Sequence, residues 1–169
     1  MKRLTHLDSE GNLRMVDVGD KPLTNRQAVA EGTVRMSDEA FRALRDHRLS
    51  KGDALTAARF AGIQAAKRTS EWIPLCHPIP IHKIEVECRF GEAAPEVVIT
   101  ATAAARWSTG VEMEALTAVA AAALTVYDMC KSVDRSIVLT EIRLLEKTGG
   151  KSGRWQRVSP RSPSPGNKT

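Results

Sequence analysis

One uninterrupted helix-favouring run covers residues 110–131, GVEMEALTAVAAAALTVYDMCK. Ala, Leu, Met and Glu all favour helices, and neither Pro nor a second Gly interrupts the run after Gly110. Glu112 and Glu114 fall in the first turn, where the positive end of the helix dipole favours carboxylates. The run therefore predicts one long helix with acidic residues at its start and an Asp/Lys pair near its end.

Shorter elements precede and follow this helix. Alternating or β-branched apolar residues predict strands over residues 27–36, 81–88, 96–106 and 137–146. Gly32, inside the first of these strands, indicates a bulge. Ser37 is a helix N-cap signal, and the Gly-Asp pair that ends at Asp53 opens a second helix. We predict that these two helices end near His47 and Lys67.

The order of these elements is strand, two helices, strand, strand, helix, strand. That order predicts an α+β, ferredoxin-like (split β-α-β) fold, in which helices pack on one face of an antiparallel sheet. The 169 residues fit one domain. We place this domain at residues 1–153, with residues 1–24 as a mostly irregular N-terminal arm. Residues 154–169 are a basic tail rich in Ser and Pro, which we predict to be disordered.

The distribution of charge bears on nucleic-acid binding. The formal net charge is +5 and the isoelectric point is about 9.4. Residues 147–169 hold six Lys or Arg and no Asp or Glu, so this stretch carries +6 and the preceding 146 residues carry −1. Because the basic character lies mostly in the tail, the distribution argues against a nucleic-acid partner.

The cysteines and the apolar runs bear on the cellular compartment. Cys76, Cys88 and Cys130 form no CxxC pair and, being three, cannot all pair within one chain, which indicates free thiols in a reducing cytosol. The first residues hold no apolar stretch typical of a signal peptide. The weakly polar run over residues 115–127 is too short to span a bilayer. We therefore expect a cytoplasmic protein without a membrane partner.

Asp128 and Lys131 lie three residues apart, so their side chains are neighbours on one helix face. This spacing suits proton transfer, and it equally suits an ordinary surface ion pair. Glu114 lies fourteen positions before Asp128, on roughly the same side but about 21 Å away along the axis. Two copies of the helix packed antiparallel would bring these carboxylates together, with the run over residues 120–123 letting the backbones approach. Alternatively, these alanines pack on the protein's own sheet.

The loop over residues 73–80 places Cys76 beside His77, between prolines that stiffen the backbone. A zinc site fails on ligand count, because no second Cys/His cluster exists in the sequence. Two interpretations stay open. The loop is either a structural loop with a hydrogen-bonded histidine, or a substrate-contacting loop in which His77 relays a proton near neutral pH.

Residues 147–153, KTGGKSG, resemble the end of a phosphate-binding P-loop. The P-loop pattern requires Gly five positions before Gly150, where this chain has Leu145. The segment therefore does not indicate a nucleotide triphosphatase. Backbone amides and lysines here could still bind phosphate. Further cations for an anionic ligand are Arg26, Lys51, Lys67 and Arg68, although each alone is typical of a solvated surface charge.

Six segments together resemble one family. They are residues 15–18 (MVDV), 61–69 (AGIQAAKRT), 73–78 (IPLCHP), 109–117 (TGVEMEALT), 127–131 (YDMCK) and 143–147 (RLLEK), followed by GGKSG. In this order they resemble the MoaC family, the cyclic pyranopterin monophosphate synthases of molybdenum-cofactor biosynthesis. The resemblance covers roughly residues 5–153.

The resemblance implies a lyase that converts 3′,8-cyclo-7,8-dihydro-GTP into cyclic pyranopterin monophosphate and releases pyrophosphate. It also implies a homohexamer, a trimer of dimers, with active sites at subunit boundaries. By position, Asp128 matches the family's catalytic acid/base and Lys131 its catalytic lysine. The substrate-contacting and pocket-lining positions fall on Leu75, Cys76, His77, Met113, Glu114, Lys51, Glu112, Arg26 and Lys147.

The implied reaction constrains the cofactors. It opens a purine-derived ring and recloses it as a pterin, which needs proton transfers rather than redox equivalents. Cyclising the phosphate expels pyrophosphate, whose charge lysines and arginines can stabilise. We therefore expect no resident cofactor and no protein-held metal, although a magnesium ion carried by the substrate phosphates fits this chemistry.

Two other classes of protein compete with the enzyme. Ferredoxin-like folds often bind RNA by stacking bases on aromatic residues of the sheet, but the strands predicted over residues 81–88 and 96–106 contain no aromatic residue. A purely structural oligomer would leave the Asp128/Lys131 and Cys76/His77 groupings without a purpose.

Overall fold

The computed structural model describes residue 7 and residues 10–158. It contains a five-stranded antiparallel sheet with the strand order β2-β3-β1-β4-β5. The elements are, in chain order, β1 (Thr24–Arg35), α1 (Asp38–Arg45), α2 (Ala54–Ala66), α3 (Thr69–Trp72), β2 (Lys83–Phe90), β3 (Glu96–Trp107), α4 (Glu112–Cys130), β4 (Val138–Thr148) and β5 (Trp155–Gln156). The predicted ferredoxin-like α+β fold is confirmed.

Side-chain caps set the starts of α1 and α2. The Ser37 hydroxyl accepts a hydrogen bond from the Ala40 amide, and the Asp53 carboxylate accepts from the Thr56 amide. Both caps satisfy amides that a helix start leaves without an intrahelical partner. Both predicted helix starts are therefore confirmed.

The core lies between the sheet and α4. Alternate residues of β3 face it, and five of them are fully buried: Val97, Ile99, Ala101, Ala103 and Ala105. This period of two is what a strand with one covered face requires. Because the facing residues are small, α4 can approach the sheet closely.

Gly32 lies where β1 packs against Val119 of α4. A Cβ atom at this position would lie 2.6 Å from Val119 Cγ1, so only glycine fits. The pairing of β1 with β4 shifts register between Glu31 and Thr33, which confirms the predicted bulge.

The alanines of α4 mostly pack within their own subunit. Ala122 and Ala123 have no exposed surface and Ala121 is 8% exposed, whereas Ala120 is half-buried. The hypothesis that all four alanines face a second copy is therefore wrong for Ala122 and Ala123, which contribute to the core instead.

Several predicted limits differ from the structure. The short helix α3 precedes the proline-rich loop and was not predicted. Strands β2 and β3 extend to the aromatic residues Phe90 and Trp107, which the predicted limits left out. Phe90 packs edge-on against Phe41 at a centroid distance of 5.4 Å, so its ring belongs to the core rather than to a base-stacking surface.

The two ends of the predicted domain also differ in detail. Residues 10–23 form no helix and no strand of the sheet, and of residues 1–9 only residue 7 is among the described residues. Strand β5 pairs with β4 through Trp155 and Gln156, so regular structure extends past residue 153 into the predicted tail. Residues 159–169 of that tail lie outside the described residues.

By length and hydropathy alone, α4 could cross a membrane. It has 19 residues and a mean hydropathy of 1.3, yet 56% of that window is buried inside the protein. Central helices of folded cores share these properties, and α4 is one of them.

Candidate active site

A cavity of about 440 Å³ lies at the N-terminal end of α4. The N-terminal arm, the proline-rich loop and the first turn of α4 form its walls. Its lining consists of Val16, Val18, Lys21, Leu75, Cys76, His77, Ile79, Thr109, Gly110, Glu112, Met113 and Glu114. Six of the predicted substrate-binding residues are therefore brought together here, although they come from two distant segments of the sequence.

Glu114 is the buried acid of this cavity. Its side chain is only 3% exposed. Burial, with a smaller contribution from the negative charge of Glu112, raises the pKa of Glu114 to about 7. A carboxyl group with a pKa near neutrality can both donate and accept a proton under cellular conditions, which suits general acid–base work.

Glu112 is held differently. Its carboxylate accepts a hydrogen bond of 2.8 Å from Lys147 Nζ, across 35 positions of sequence. The two acids of the first turn therefore differ in environment: Glu112 pairs with a cation on β4, whereas Glu114 is buried in the cavity wall.

His77 joins the proline-rich loop to the N-terminal arm. Its Nε2 atom lies 2.8 Å from the carbonyl oxygen of Val16. Because a carbonyl oxygen can only accept, Nε2 carries the proton, and Nδ1 of a neutral His77 is the ring atom that can accept. The neighbouring Cys76 is partly buried, and burial together with the nearby Glu114 raises the pKa of its thiol.

A second cavity of about 740 Å³ adjoins the first and shares Lys21, Thr109 and Gly110 with it. Its lining includes Arg26 and Lys151 and no acidic residue. With three cationic side chains in its wall, this cavity fits an anionic group such as a phosphate.

The Gly149-Gly150 turn shapes the second cavity beside Arg26. Both glycines have a positive φ, 96° and 70°. A Cβ atom on Gly149 would collide with the Asn25 carbonyl oxygen, and one on Gly150 would collide with the Arg26 guanidinium group. Arg26 itself donates to the carbonyl oxygens of Trp107 and Ser108 at 3.4 and 3.3 Å. The turn therefore needs glycine at both positions.

The remaining predicted residues cluster at the other end of α4. Asp128 Oδ1 lies 2.6 Å from Lys131 Nζ, and Asp128 Oδ2 lies 2.7 Å from Lys51 Nζ. Lys51 also donates to the Asp128 carbonyl oxygen at 2.9 Å. Hydrogen bonds from Lys131 and then Lys51 lower the pKa of Asp128 to about 2, and Asp128 in turn raises the pKa of Lys131.

Within one protomer, the Asp128–Lys131 pair lies far from the cavity that contains Glu114. The Asp128 side chain is 52% exposed, and Asp128 does not line either of the two cavities described above. It lies about 21 Å from Glu114 along the helix axis. Within the described chain, the predicted site is therefore split between the two ends of α4.

A stripe of apolar residues, half-buried except for the exposed Leu124, connects the two ends of α4. Met113, Leu116, Ala120 and Leu124 follow one another at spacings of three and four, which place them on one face of α4, and the next position on that face is Asp128. Leu124 is 53% exposed. A groove of about 360 Å³ runs beside this stripe, between α4 and the helices α2 and α3. Trp72, which lines this groove, is 55% exposed.

Sequence reasoning missed part of the cavity wall. Val16 and Val18 belong to an apolar patch that the sequence shows, but nothing in the sequence places that patch against His77. Lys21 and Ile79 carry no local signal that separates them from neighbouring surface residues. Among the described residues, no group of three or more His, Cys, Asp or Glu side chains could hold a metal ion.

Comparisons with known proteins match this arrangement to a family. The sequence model of the MoaC family matches residues 15–150. The chain belongs to the MoaC family. The matched range includes all eleven predicted site residues, both cavities except for Lys151 and Ser152, and the whole of α4.

Three curated relatives carry the name "Cyclic pyranopterin monophosphate synthase". The relative from Thermomicrobium roseum is 55% identical over 157 residues, 93% of this chain and 95% of its own length. The relative from Rhodospirillum rubrum is 58% identical over 152 residues, 90% of this chain and 92% of its own length. A third, from Cereibacter sphaeroides, is 53% identical and covers 92% of this chain and 98% of its own length. The family resemblance predicted from the six segments is confirmed.

Proposed function

We propose that this chain is a lyase that converts 3′,8-cyclo-7,8-dihydro-GTP into cyclic pyranopterin monophosphate and releases pyrophosphate, a step of molybdenum-cofactor biosynthesis. The observation that carries the proposal is the match of nearly the whole chain to relatives of that name at 53–58% identity. The cavity geometry supports it independently, because proton-transferring groups lie beside a cationic cavity.

Glu114 and the Asp128–Lys131 pair divide the proton transfers. Glu114, with its pKa of about 7, exchanges protons inside the cavity at neutral pH. Asp128 stays ionised at neutral pH, because Lys131 and Lys51 lower its pKa to about 2. Its carboxylate is therefore available as the base and Lys131 as the acid, although the two lysines make Asp128 a weaker base than an isolated carboxylate. Lys21, Arg26 and Lys151 stabilise the triphosphate of the substrate and the departing pyrophosphate.

The site is composite, formed by two copies of the chain. An isologous dimer in which the α4 stripes pack antiparallel places Asp128 and Lys131 of one copy beside the Glu114 cavity of the other. The exposed Leu124 and the half-buried Leu116 and Ala120 support this packing, because they form a continuous apolar surface between the two groups. Three such dimers would form the homohexamer that the family resemblance implies.

The reaction as proposed needs no resident cofactor, because it consists of proton transfers and one phosphate displacement. Any magnesium ion enters with the substrate phosphates rather than in a site of the protein. The enzyme works in the cytoplasm, where its three free thiols stay reduced, and it needs neither nucleic acid nor membrane.

The reaction is tested by incubating the purified protein with 3′,8-cyclo-7,8-dihydro-GTP and measuring pyrophosphate and the cyclic pterin product. Wild-type protein is expected to form both in equal amounts. Asp128→Ala is expected to lose turnover while keeping its fold and assembly, because the exposed Asp128 side chain contributes little to packing. Absence of product with folded wild-type protein would overturn the proposed reaction.

The composite site is tested by mixing two inactive variants, Glu114→Gln and Asp128→Asn, after dissociation and reassembly. Half of the dimers are then mixed, and each mixed dimer has one intact site, so activity returns to roughly a quarter of the wild-type value. The matched control mixes Asp128→Asn with Lys131→Met, which share one end of α4 and therefore leave no site intact. Equal rescue in both mixtures, or none in either, would contradict the composite site but not the reaction.

A further inference from the structure

Asp134 is a buried carboxylate outside both cavities. It lies in the turn that follows α4 and is 7% exposed. Its Oδ1 atom accepts from the Ser136 hydroxyl at 2.6 Å and from the Ser136 amide at 2.8 Å, and its Oδ2 atom accepts from the Ser37 amide at 2.7 Å. None of the ion pairs among the described residues includes Asp134. The negative charge of Asp134 is therefore stabilised by neutral hydrogen-bond donors rather than by an ion pair with any described residue.

These hydrogen bonds join two segments that lie 97 positions apart. Ser37 is the N-cap of α1, and α1 leads into the loop that carries Lys51. Asp134 follows Lys131 by three residues, in a turn whose amides at Val133 and Asp134 donate to the Cys130 carbonyl oxygen. The Asp134 carboxylate therefore links the start of α1 to the turn after α4 through hydrogen bonds.

A second contact links the same two segments. Lys51 reaches from the end of the α1–α2 loop to both the carboxylate and the carbonyl oxygen of Asp128. The Lys51 side chain is 40% exposed, so packing alone does not fix its position. Lys51 and Asp128 are both exposed, whereas Asp134 is buried. The hydrogen bonds of Asp134 are therefore the more rigid of the two links between these segments.

We propose that Asp134 is a positioning residue: its carboxylate holds the α1–α2 segment against the end of α4, so that Lys51 and Lys131 stay on opposite oxygens of Asp128. The proposal rests on the proposed function in one respect, namely that the Asp128–Lys131 pair transfers protons in the reaction. Asp134 itself touches neither cavity and takes no part in the chemistry.

If the hydrogen bonds of Asp134 are lost, the pKa of Asp128 should change. A purely structural role of Asp134 would leave that pKa unchanged. Lys131 on α4 and Lys51 on the α1–α2 loop are the cations that face Asp128, and Tyr127 and Arg135 also act on Lys131. If Lys51 moves away, Asp128 loses one of its two charge-assisted hydrogen bonds. Its pKa then rises from about 2 towards the ordinary value of 3.8.

The same loss affects turnover more than substrate binding. A misplaced base slows proton transfer, and small displacements of a reacting group can cost about 100-fold in rate. We expect Asp134→Ala to lower kcat by at least about 10-fold, with KM changed by less than about 2-fold because Asp134 lies outside the cavities. The acid limb of the kcat–pH profile is expected to move to higher pH.

The test compares Asp134→Ala with Ser37→Ala. The control removes the hydroxyl that caps α1 and that also makes the smallest hydrogen-bond contribution to Asp134, but it keeps the Ser37 amide and both Ser136 donors. It therefore weakens the same helix start and leaves most of the Asp134 junction in place. Three quantities are measured for wild type and both variants: the kcat–pH profile, KM, and the pKa of Asp128. The last comes from a carboxyl ¹³C NMR titration, with the resonance assigned through Asp128→Asn.

The proposal requires a raised Asp128 pKa and a shifted kcat profile in Asp134→Ala, with clearly smaller changes of both in Ser37→Ala. The proposal would be overturned if the Asp128 pKa and the kcat–pH profile of Asp134→Ala matched those of wild type. It would also be overturned if Asp134→Ala and Ser37→Ala changed these two quantities equally. If Asp134→Ala does not fold, Asp134→Asn and Ser136→Ala replace it, because each keeps part of the junction and should shift the Asp128 pKa by a smaller amount. The NMR titration reports on the junction even if the proposed reaction fails, since it needs no substrate.

Discussion

Lys51 Nζ lies 2.7 Å from Asp128 Oδ2, a contact between residues 77 positions apart. The lysine belongs to a loop between two helices, and the carboxylate lies in the last turn of α4. Because Lys131 holds the other carboxylate oxygen, two positive charges surround one negative charge at the surface of the protomer. An exposed pair of this kind adds little stability, which favours a functional reason for the arrangement.

Lys51→Met is expected to lower kcat/KM by about 100-fold, because it removes one cation from the proposed catalytic carboxylate. Steady-state kinetics on Lys51→Met, Asp128→Asn and the double variant measure the coupling between the two residues. If they act as a unit, the double variant loses much less activity than the product of the two single losses.

The matched control is Lys83→Met, which removes an exposed lysine on β2. Its kcat/KM is expected to stay within about 2-fold of wild type, as for a surface substitution. Fully multiplicative losses for Lys51→Met and Asp128→Asn would show that their contact in the structure does not matter for turnover.

The raised pKa of Glu114 predicts that the free energy of unfolding depends on pH. Its pKa is about 7 in the folded protein against 4.5 for the exposed group, so the native state binds more protons between these values. The free energy of unfolding therefore falls as pH rises from 4.5 to 7 and changes no further above that range for this group. The shift corresponds to roughly 3 kcal/mol as an upper bound.

Glu114→Gln keeps the shape of the side chain and removes the charge. We expect this variant to be more stable than wild type at pH 8 and about equal at pH 4.5, as measured by urea unfolding. Glu87→Gln, on the exposed side of β2, serves as the control and should leave the pH dependence unchanged. A wild-type pH dependence in Glu114→Gln would mean that another group causes it.

The sequence predicted the helices and strands well, because local signals determine them. Ser37 and Asp53 are caps that act within a few residues, and the alternating burial of β3 follows from its own residues. The limits of β2 and β3 were less accurate. Phe90 and Trp107 do favour strands, but where a strand ends depends on how far its neighbour pairs with it, here through Val97 and Thr24.

The candidate site was predictable only in part. Resemblance to a family placed the functional residues in the sequence, and the structure gathers them at two ends of α4. Every residue has a backbone carbonyl group, so the identity of Val16 does not indicate that its carbonyl oxygen contacts His77. This hydrogen bond could therefore not be predicted from the sequence. Asp134 was missed for a related reason, since an aspartate that accepts from amides looks like any surface aspartate in a sequence.

The three cysteines are expected to differ in reactivity. Cys130 has no exposed surface and Cys88 is 7% exposed, and burial raises the pKa of each thiol to about 11. At pH 8 only about 0.1% of such a thiol is ionised. Cys76 lines the first cavity and is partly exposed, so iodoacetamide should modify it first, and bound product should slow that reaction.

Mass spectrometry of native protein after short labelling measures these rates. Cys76→Ser is expected to show almost no labelling before unfolding. If Cys88 or Cys130 reacted as fast as Cys76 in folded protein, the cavity would not be the accessible part of the molecule that the structure shows.

Leu124 tests the interface through which the site is proposed to form. It is 53% exposed, lies four residues before Asp128 on the same face of α4, and borders the groove beside α2 and α3. Leu124→Glu places a charge in the middle of the proposed dimer contact, where desolvation is costly. We expect it to weaken dimerisation by about 100-fold, as measured by sedimentation equilibrium, and to lower activity with it.

Leu13→Glu is the matched control, because Leu13 is an equally apolar side chain that is 75% exposed on the N-terminal arm. It is expected to leave both assembly and activity unchanged. Activity of Leu124→Glu should return as protein concentration rises, since the substitution affects association and not the catalytic groups. A Leu124→Glu protein that stays monomeric yet fully active would require Asp128 and Glu114 to work in separate sites, and the composite site would then be wrong.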